Sequence, residues 1–530
     1  MADRLERNAR TVMILTALSR LTGLIREGVF SRALGTSAAM SAFSFAFLIP
    51  NLFRRLFGEG ALSAAFLPVY QRLTDEDPNR AAALAGGMVG GLAVGLGLVV
   101  VIGEAALFMI SSTFDHENVA VWLMMITLPY TPLVCVVAIA GAMLHVRGRF
   151  GPTAAAPLIL NISLIAAVAL SWAILGTQTD TERLQVAALA CGTVVLAGLL
   201  QVAWSLLALR GQARLVLNVA EAAVPLREVM HRAGPMILGL GVLQLNTLID
   251  GLIASFPLWM PETADALNYP LDESSLATLN FAQRLYNFPL GVFGIAVATA
   301  IYPLLTRVAD DATLFASTLS RGIRLILFIS IPATVGLVLL REPVTAAVLE
   351  GGLFDASDSH RVSFVLLGYA TCIWAYMLAQ ICTRAFYARG EEKTPVRIGM
   401  SMVALNLTLN LILMWPLGEA GLAWSTACCA TVQTAIMVWI LQKRGVMVLD
   451  QPTLKTMLQT LIGAAIMGFI LAFCLMWWPS PDAWFQGVIR LLALTAIGIG
   501  IMFLWAWYRG MPEWTWSLGL KKDDSASSDS

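Results

Sequence analysis

Charged side chains stand inside stretches that are otherwise strongly apolar. Arg20, Arg26, Glu27, Arg54, Arg55 and Glu59 interrupt the first of these, and Asp250 and Arg284 interrupt two later ones. If the stretches cross a bilayer, each charge costs roughly 2.5–3.5 kcal/mol at mid-depth on insertion scales. Helical spacing sorts the group. Arg55 and Glu59 are four apart and can pair on one face, which leaves Arg54, about 100° away, free to face something else. Arg20 and Glu27 are seven apart and share a face, while Arg26 lies about 120° from Arg20. Gly23 between them allows a bend, which is tolerated where a helix lines a cavity. Arginines without partners cannot face lipid. They imply a water-filled cationic cavity between two lobes, and its use is to bind an anion. Guanidinium is the preferred bidentate partner of phosphate, and several converging arginines suit a diphosphate. The other reading is an ion-pair network closed by Glu27, Glu59 and Asp250.

A second set consists of oxygens. Asp250 lies in LNTLIDGLIA, Asn406 and Asn410 are four apart in LNLTLNLIL, and Thr426 follows in the next apolar run. Carboxylate, amide and hydroxyl oxygens suit a hard cation such as Na⁺, or Asp250 alone could carry a proton. Interhelical hydrogen bonding explains the Asn and Thr residues equally well. Enzyme chemistry is poorly supplied. The 7 cysteines lie in apolar runs without C-x-x-C spacing, and the 4 histidines form no metal-binding pair. No G-x-S-x-G, Walker A or dinucleotide fingerprint appears, so no cofactor is expected beyond a coupling ion. The formal net charge of +0 gives no basic footprint for nucleic acid.

The elements that must hold these residues are membrane spans. Hydrophobic residues make up 58% of the chain and charged ones 13%, about half the usual charged share of a soluble domain, roughly 25%. Apolar stretches of about 20 residues or more occur at 9–33, 38–72, 82–110, 119–146, 152–175, 184–209, 235–256, 276–306, 318–340, 362–388, 395–415, 419–441, 455–478 and 487–508. The pattern predicts an all-α polytopic membrane protein of fourteen spans. The stretch at 38–72 would run ~50 Å as one helix, so it must tilt, bend or project. The basic start is followed by no small-residue cleavage site, so 9–33 is expected to be a retained first helix.

One set of loops carries Arg72 and Arg80, Arg147 and Arg149, Arg210 to Arg232, Arg307 to Arg324, Arg389 to Arg397, Lys443 and Arg444, and Arg509 to Lys522. The alternate loops hold only Arg183, Arg341 and Arg361. The positive-inside rule then places both termini in the cytoplasm. Arg32, Arg384 and Arg490, near span ends, are expected to snorkel to the interface.

The halves resemble each other. ALSAAFLPVYQR (61–72) aligns with AVATAIYPLLTR (296–307), LNISL (160–164) with LNLTL (405–409), and HVRGRFGPT (145–153) with YARGEEKTPV (387–396). Arg284 sits in the second copy's counterpart of the Arg54 stretch, and Pro50 and Pro289 could bend both. A shift of six spans gives a parallel repeat, with substrate near the midplane between the copies. The expected organisation is an N-lobe (1–209), a cytoplasmic amphipathic linker (210–234), a C-lobe (235–444), two added helices (445–510) forming a lipid-tail groove, and a disordered cytoplasmic tail (511–530).

SRLTGLIREGVFSRALG followed by PNLFRRLFGEGALSAAFLPVY closely resembles the start of the MurJ (MviN) family, and NFAQRLYNFPLGVFGIAVATAIYP, FYARGEEKTPVRI and AGPMILG extend the match over about residues 10–445. The resemblance implies the multidrug/oligosaccharidyl-lipid/polysaccharide exporter superfamily. It also implies a fourteen-helix lipid II flippase of the cytoplasmic membrane, acting in peptidoglycan synthesis by alternating access. It carries the family's functional arginines onto Arg20, Arg26, Arg54 and Arg284, and its acidic gate position onto Glu59. Lipid II, membrane lipids and cell-wall synthesis proteins are the implied partners. This chain has Ser41 and Gln283 where members often have acids, and Asn410 where some have a carboxylate. The competing expectations are a cation-coupled drug exporter, an exporter of another polyprenyl-diphosphate oligosaccharide, or a cell-wall scaffold that transports nothing.

Overall fold

A computed structural model describes residues 2–58, 61–113, 118–481 and 483–517. Among these the chain is helical throughout. In order come α1 (Ala2–Leu34), α2 (Ala38–Phe53), a π-helical turn (Arg54–Gly58), α3 (Ala61–Glu76), α4 (Pro78–Thr113), α5 (Val119–Thr127), α6 (Tyr130–Val146), α7 (Gly151–Leu175) and α8 (Asp180–Leu209). After a loop follow α9 (Val219–Trp259), α10 (Pro261–Ala266), α11 (Ser275–Pro289), a second π turn (Leu290–Gly294), α12 (Ile295–Arg307), α13 (Ala312–Leu349), α14 (Ala356–Ala370), α15 (Ile373–Ala388), α16 (Lys393–Leu417) and α17 (Glu419–Lys443). The chain continues with α18 (Gln451–Trp477), α19 (Trp484–Tyr508) and the short α20 (Glu513–Ser517).

Eleven helical stretches among the described residues are long and apolar enough to span a bilayer. They coincide with the third to sixth and the eighth to fourteenth expected spans. The other three expected spans are also helical, in α1, α2–α3 and α9. The protein is an all-α, multi-pass membrane protein.

The repeat is visible in the order of elements. Each copy has a helix, a π turn and a further helix (α2–α3, α11–α12), then one long helix (α4, α13). Next comes a span broken near its middle (α5–α6, α14–α15), and then two unbroken ones (α7–α8, α16–α17). α7 and α16, which hold the LNISL and LNLTL motifs, are each 25 residues long. The first π turn has a local cause. Pro50 has no N–H, so it releases the carbonyl of Ala46 from the helix ladder. The buried Thr127 hydroxyl of α5 donates to that carbonyl at 2.7 Å, so no acceptor is orphaned.

By packing the chain forms two compact units. One runs to Ala277 and includes Gly351–Asp355; the other comprises Thr278–Glu350 and the chain from Ala356 on. In the first, Leu62, Phe66 and Tyr70 of α3 pack with Leu84 and Met88 of α4, Met143 of α6 and Val229 of α9. In the second, Phe315, Leu319 and Ile323 of α13 share a core with Ile381 of α15, Met437 of α17, Leu471 of α18 and Leu494 of α19. Small residues allow the close approaches typical of membrane helices: a Cβ on Gly198 would come within 2.6 Å of the Tyr130 ring.

Two expectations are corrected here. The amphipathic linker expected over 210–234 is not a separate element. Residues 211–218 run along α4, where the Val216 N–H donates to the Ala82 carbonyl at 3.1 Å, and α9 then continues without a break through the seventh expected span. The stretch from 511 was expected to be disordered, but it contains α20. Glu513 there is 1% exposed and accepts from Arg324 Nε of α13 at 2.7 Å and from Thr456 Oγ1 of α18 at 2.8 Å. The bonds of Glu513 to Arg324 and Thr456 tie this short segment to α13 and α18. The remaining residues of that tail, 518–530, lie outside the described residues.

Candidate functional site

In the first unit the arginines of α1 are organised by α7. Asn161, 7% exposed, accepts from Arg26 Nη1 at 3.0 Å through Oδ1. Its Nδ2 donates to the Ser19 carbonyl at 3.1 Å and to Thr22 Oγ1 at 3.2 Å. Those two acceptors fix which way the amide points, so its oxygen is held toward the guanidinium. A Cβ at Gly23 would lie 3.6 Å from Asn161 Nδ2, an ordinary contact, so this approach does not require glycine. Arg26 Nη2 also donates to the buried Glu27 carboxylate. Glu27 therefore pairs with its sequence neighbour rather than with Arg20, with which a helical wheel aligns it. Arg20 is half-buried and makes no hydrogen bond or ion pair with any described residue. The cluster therefore contains one braced, partly neutralised arginine and one open cation a turn and a half away.

Arg54 opens the first π turn. Its Nε and Nη2 donate to Asn51 Oδ1 at 3.2 and 2.9 Å, folding the guanidinium back along its own helix. Arg55 turns elsewhere, and its Nη1 donates to Gln244 Oε1 of α9 at 3.2 Å. The expected partner Glu59 lies outside the described residues. Among the described residues Arg54 thus bonds within its own helix and Arg55 bonds across to α9.

Arg284 lies on α11 in the second unit and is half-buried. The preceding Gln283 donates to the Tyr369 hydroxyl at 3.0 Å, and the Tyr369 ring stacks on Tyr286 at 4.8 Å. In the oxygen set, Asn410 Nδ2 donates to Asn406 Oδ1 at 3.1 Å, with both side chains buried. Thr426 donates to the Leu422 carbonyl of its own helix at 2.9 Å. Asp250 is buried in the first unit. No group of three or more His, Cys, Asp or Glu side chains placed to hold a metal occurs among the described residues.

Sequence reasoning missed Asn161, although the repeat marked it: it occupies in LNISL the place that Asn406 occupies in LNLTL. It also missed a cavity of about 830 Å³ at one end of the first unit, lined by Asn118, Asp180, Arg183, Trp259, Glu262 and Glu273 among others. Burial pushes the Glu273 carboxyl above its ordinary range, and the charges of Asp272, Asp180 and Asp265 add to the shift. Arg490, expected to snorkel, is buried, and its Nη1 reaches back to Ser480, ahead of the start of α19.

The profile of the family described as "Lipid II flippase MurJ" matches residues 30–492. The chain belongs to the MurJ family. A "Probable lipid II flippase MurJ" of Vibrio cholerae is 33% identical over 521 residues, covering 94% of each chain. The solved structure "Lipid II flippase MurJ, inward closed conformation" shares the fold with a TM-score of 0.76 at 21% identity, covering 96% of this chain and 99% of that one. A "multidrug resistance MATE family transporter of the MOP superfamily", in an inward-facing conformation, has the same fold at a TM-score of 0.65 and 12% identity, covering 82% of this chain and 98% of that one. Relative to the MurJ family, the arginines of α1 and of the first π turn lie within or just before the matched region.

Proposed function

We propose that the protein is a lipid II flippase, moving the undecaprenyl-diphosphate-linked peptidoglycan precursor from the inner to the outer leaflet of the cytoplasmic membrane. Kinship over nearly the whole length supports the substrate. The observation that carries the site is Arg20, a half-buried cation with no partner among the described residues, beside an arginine already braced for use. Arg20, Arg26, Arg54 and Arg284 hold the diphosphate, with Glu27, Arg55 and Glu59 adjusting the charge around them as the protein alternates its access. No bond is made or broken, so the protein acts as a transporter and not as an enzyme. Both termini lie in the cytoplasm, α18 and α19 guide the polyprenyl tail, and Na⁺ or a proton supplies the coupling through Asp250 and the Asn406, Asn410 and Thr426 oxygens. Cell-wall synthesis proteins are its natural partners.

The test is reconstitution with labelled lipid II. Each charge-assisted hydrogen bond to phosphate is worth about 1.5–3 kcal/mol, so Arg20→Ala should lower the flipping rate at least ~10-fold while leaving a folded protein. Arg54→Ala and Arg284→Ala should do the same. Normal flipping in all three variants would remove the anion site. No flipping by the unaltered protein under any Na⁺, proton or voltage gradient would favour the scaffold reading.

A further inference from the structure

One more carboxyl stands inside an apolar stretch, on α4 of the first unit. Glu104 makes no hydrogen bond or ion pair with any described residue, and its Oε1 is buried. Leu96 and Val100, buried on the same helical face, precede it. Snorkelling does not account for its place. The apolar stretch Pro78–Met109 ends ~8 Å further along the axis. Side chains on a helix lean toward its N-terminus, so Glu104 leans away from that near end and into the stretch.

The surface beside it is the break between α5 and α6. A Cβ on Gly103 would come within 2.9 Å of Leu128 Cδ2, so α4 touches the break one residue before Glu104. Pro129 has no N–H to offer the Met125 carbonyl. The N–H of Thr131 bonds to the Leu128 carbonyl at 3.0 Å, and its hydroxyl is buried without a partner among the described residues. Polar oxygens in want of a partner therefore stand on both sides of this contact.

No cation compensates the carboxyl. α4 packs on α3, α5, α6 and α9. α5 has no titratable side chain. On α6, Tyr130 donates to Gln201, the Cys135 thiol points at the Phe53 carbonyl, and His145 is in the last turn. The charged groups of α3, and those of α9 from Glu221 to Arg232, gather beside the start of α4, where Arg72 and Arg232 both donate to Glu228. Ala222 of that stretch meets Gly87, ~26 Å along α4 before Glu104. Asp250, further along α9, is itself an acid.

An enclosed carboxylate with neither a cation nor a donor is costly, and taking up a proton removes the charge. We propose that Glu104 is a proton-binding site, which holds its proton while α4 packs on the break between α5 and α6 and releases it when water enters that contact. This goes beyond the flippase reading and does not rest on it.

Infrared spectra of the whole protein in proteoliposomes test the binding. Exposed carboxyls, with ordinary values of about 4, are ionised at neutral pH. The difference between the unaltered protein and Glu104→Gln should then contain the carbonyl stretch of one neutral acid. The amide keeps the shape of that acid, so the variant should fold. If it does not, Glu104→Asp carries the test by moving the band. A difference that shows only the loss of a carboxylate, or an unmoved band in Glu104→Asp, would overturn the proposal. Hydrogen exchange reads the contact. In alkali, peptides spanning the break should exchange severalfold faster in the unaltered protein than in Glu104→Gln, which has no proton to lose there. Equal rates would overturn the link between the proton and the packing. Neither measurement uses lipid II, so a failure here is separable from a failure of the flippase reading.

Discussion

Replacing Asn161 separates bracing from charge in the α1 cluster. Asn161→Ala removes the 3.0 Å bond to Arg26 and the two bonds to α1. The Ser19 carbonyl keeps a second donor, Thr22 Oγ1 at 3.1 Å, so its loss is small. The unshared loss is the bond to a charged group, about 1.5–3 kcal/mol. We expect a stability decrease of about 1.5–3 kcal/mol from that loss. Flipping should fall roughly ten- to hundredfold, because Arg26 is left to swing on Glu27 alone. Asn161→Asp has the opposite character. It keeps an acceptor for Arg26 but adds a second negative charge beside it, and it faces the Ser19 carbonyl with an oxygen that cannot donate. It should hold Arg26 more firmly and still stop flipping, because the cation is cancelled. Initial flipping rates of fluorescent lipid II in proteoliposomes, read beside thermal melts of the same preparations, check both. If Asn161→Asp flips at the normal rate, the charge of Arg26 is not used on an anion. If Asn161→Ala melts early but flips normally, the amide is only a strut.

Three further outcomes follow from contacts elsewhere. Asp450 caps α18, accepting from the Thr453 N–H and from Ser320 Oγ, each at 2.8 Å. Burial pushes its carboxyl up, but the bonds from Thr453 and Ser320 and the charge of Arg324 outweigh this and hold it below its ordinary value of 3.8. A depressed folded value means that its stabilisation is present above pH 3.8 and is lost as pH falls through the lower folded value. Acid melts should show that loss, and Asp450→Ala should remove it while lowering stability by about 0.5–2 kcal/mol at neutral pH. Breaking the buried Arg324–Glu513 pair by Arg324→Ala should destabilise the protein by about 3–5 kcal/mol in melts, because Glu513 is left charged and enclosed. Arg324→Ala together with Glu513→Leu should recover much of that loss. Gly421→Ala should destabilise by about 1–3 kcal/mol by overpacking, because its Cβ would collide with the Leu413 backbone of α16. An unchanged melting temperature would contradict that packing.

The membrane class, the repeat and the arginines were legible in the sequence because lipid imposes a severe composition. An apolar run of fixed length has few alternatives, and a charge within it stands out. The local pairings were less legible. Glu27 was aligned with Arg20 on an ideal helical wheel, but the Arg26 side chain reaches its neighbour's carboxylate directly. Asn161 was hidden because an amide in an apolar run carries no charge to mark it.

The two π turns have a further consequence. Each winds one extra residue into a single turn, so the helix after it keeps the phase that an unbroken α-helix one residue shorter would give. Rewinding the same residues as an ordinary α turn would rotate the following helix by about 100°, whereas deleting one residue from Arg54–Gly58 or from Leu290–Gly294 would close the turn and leave α3 or α12 facing nearly as before. In these two places the chain absorbs a change of length without re-aiming the helix that follows.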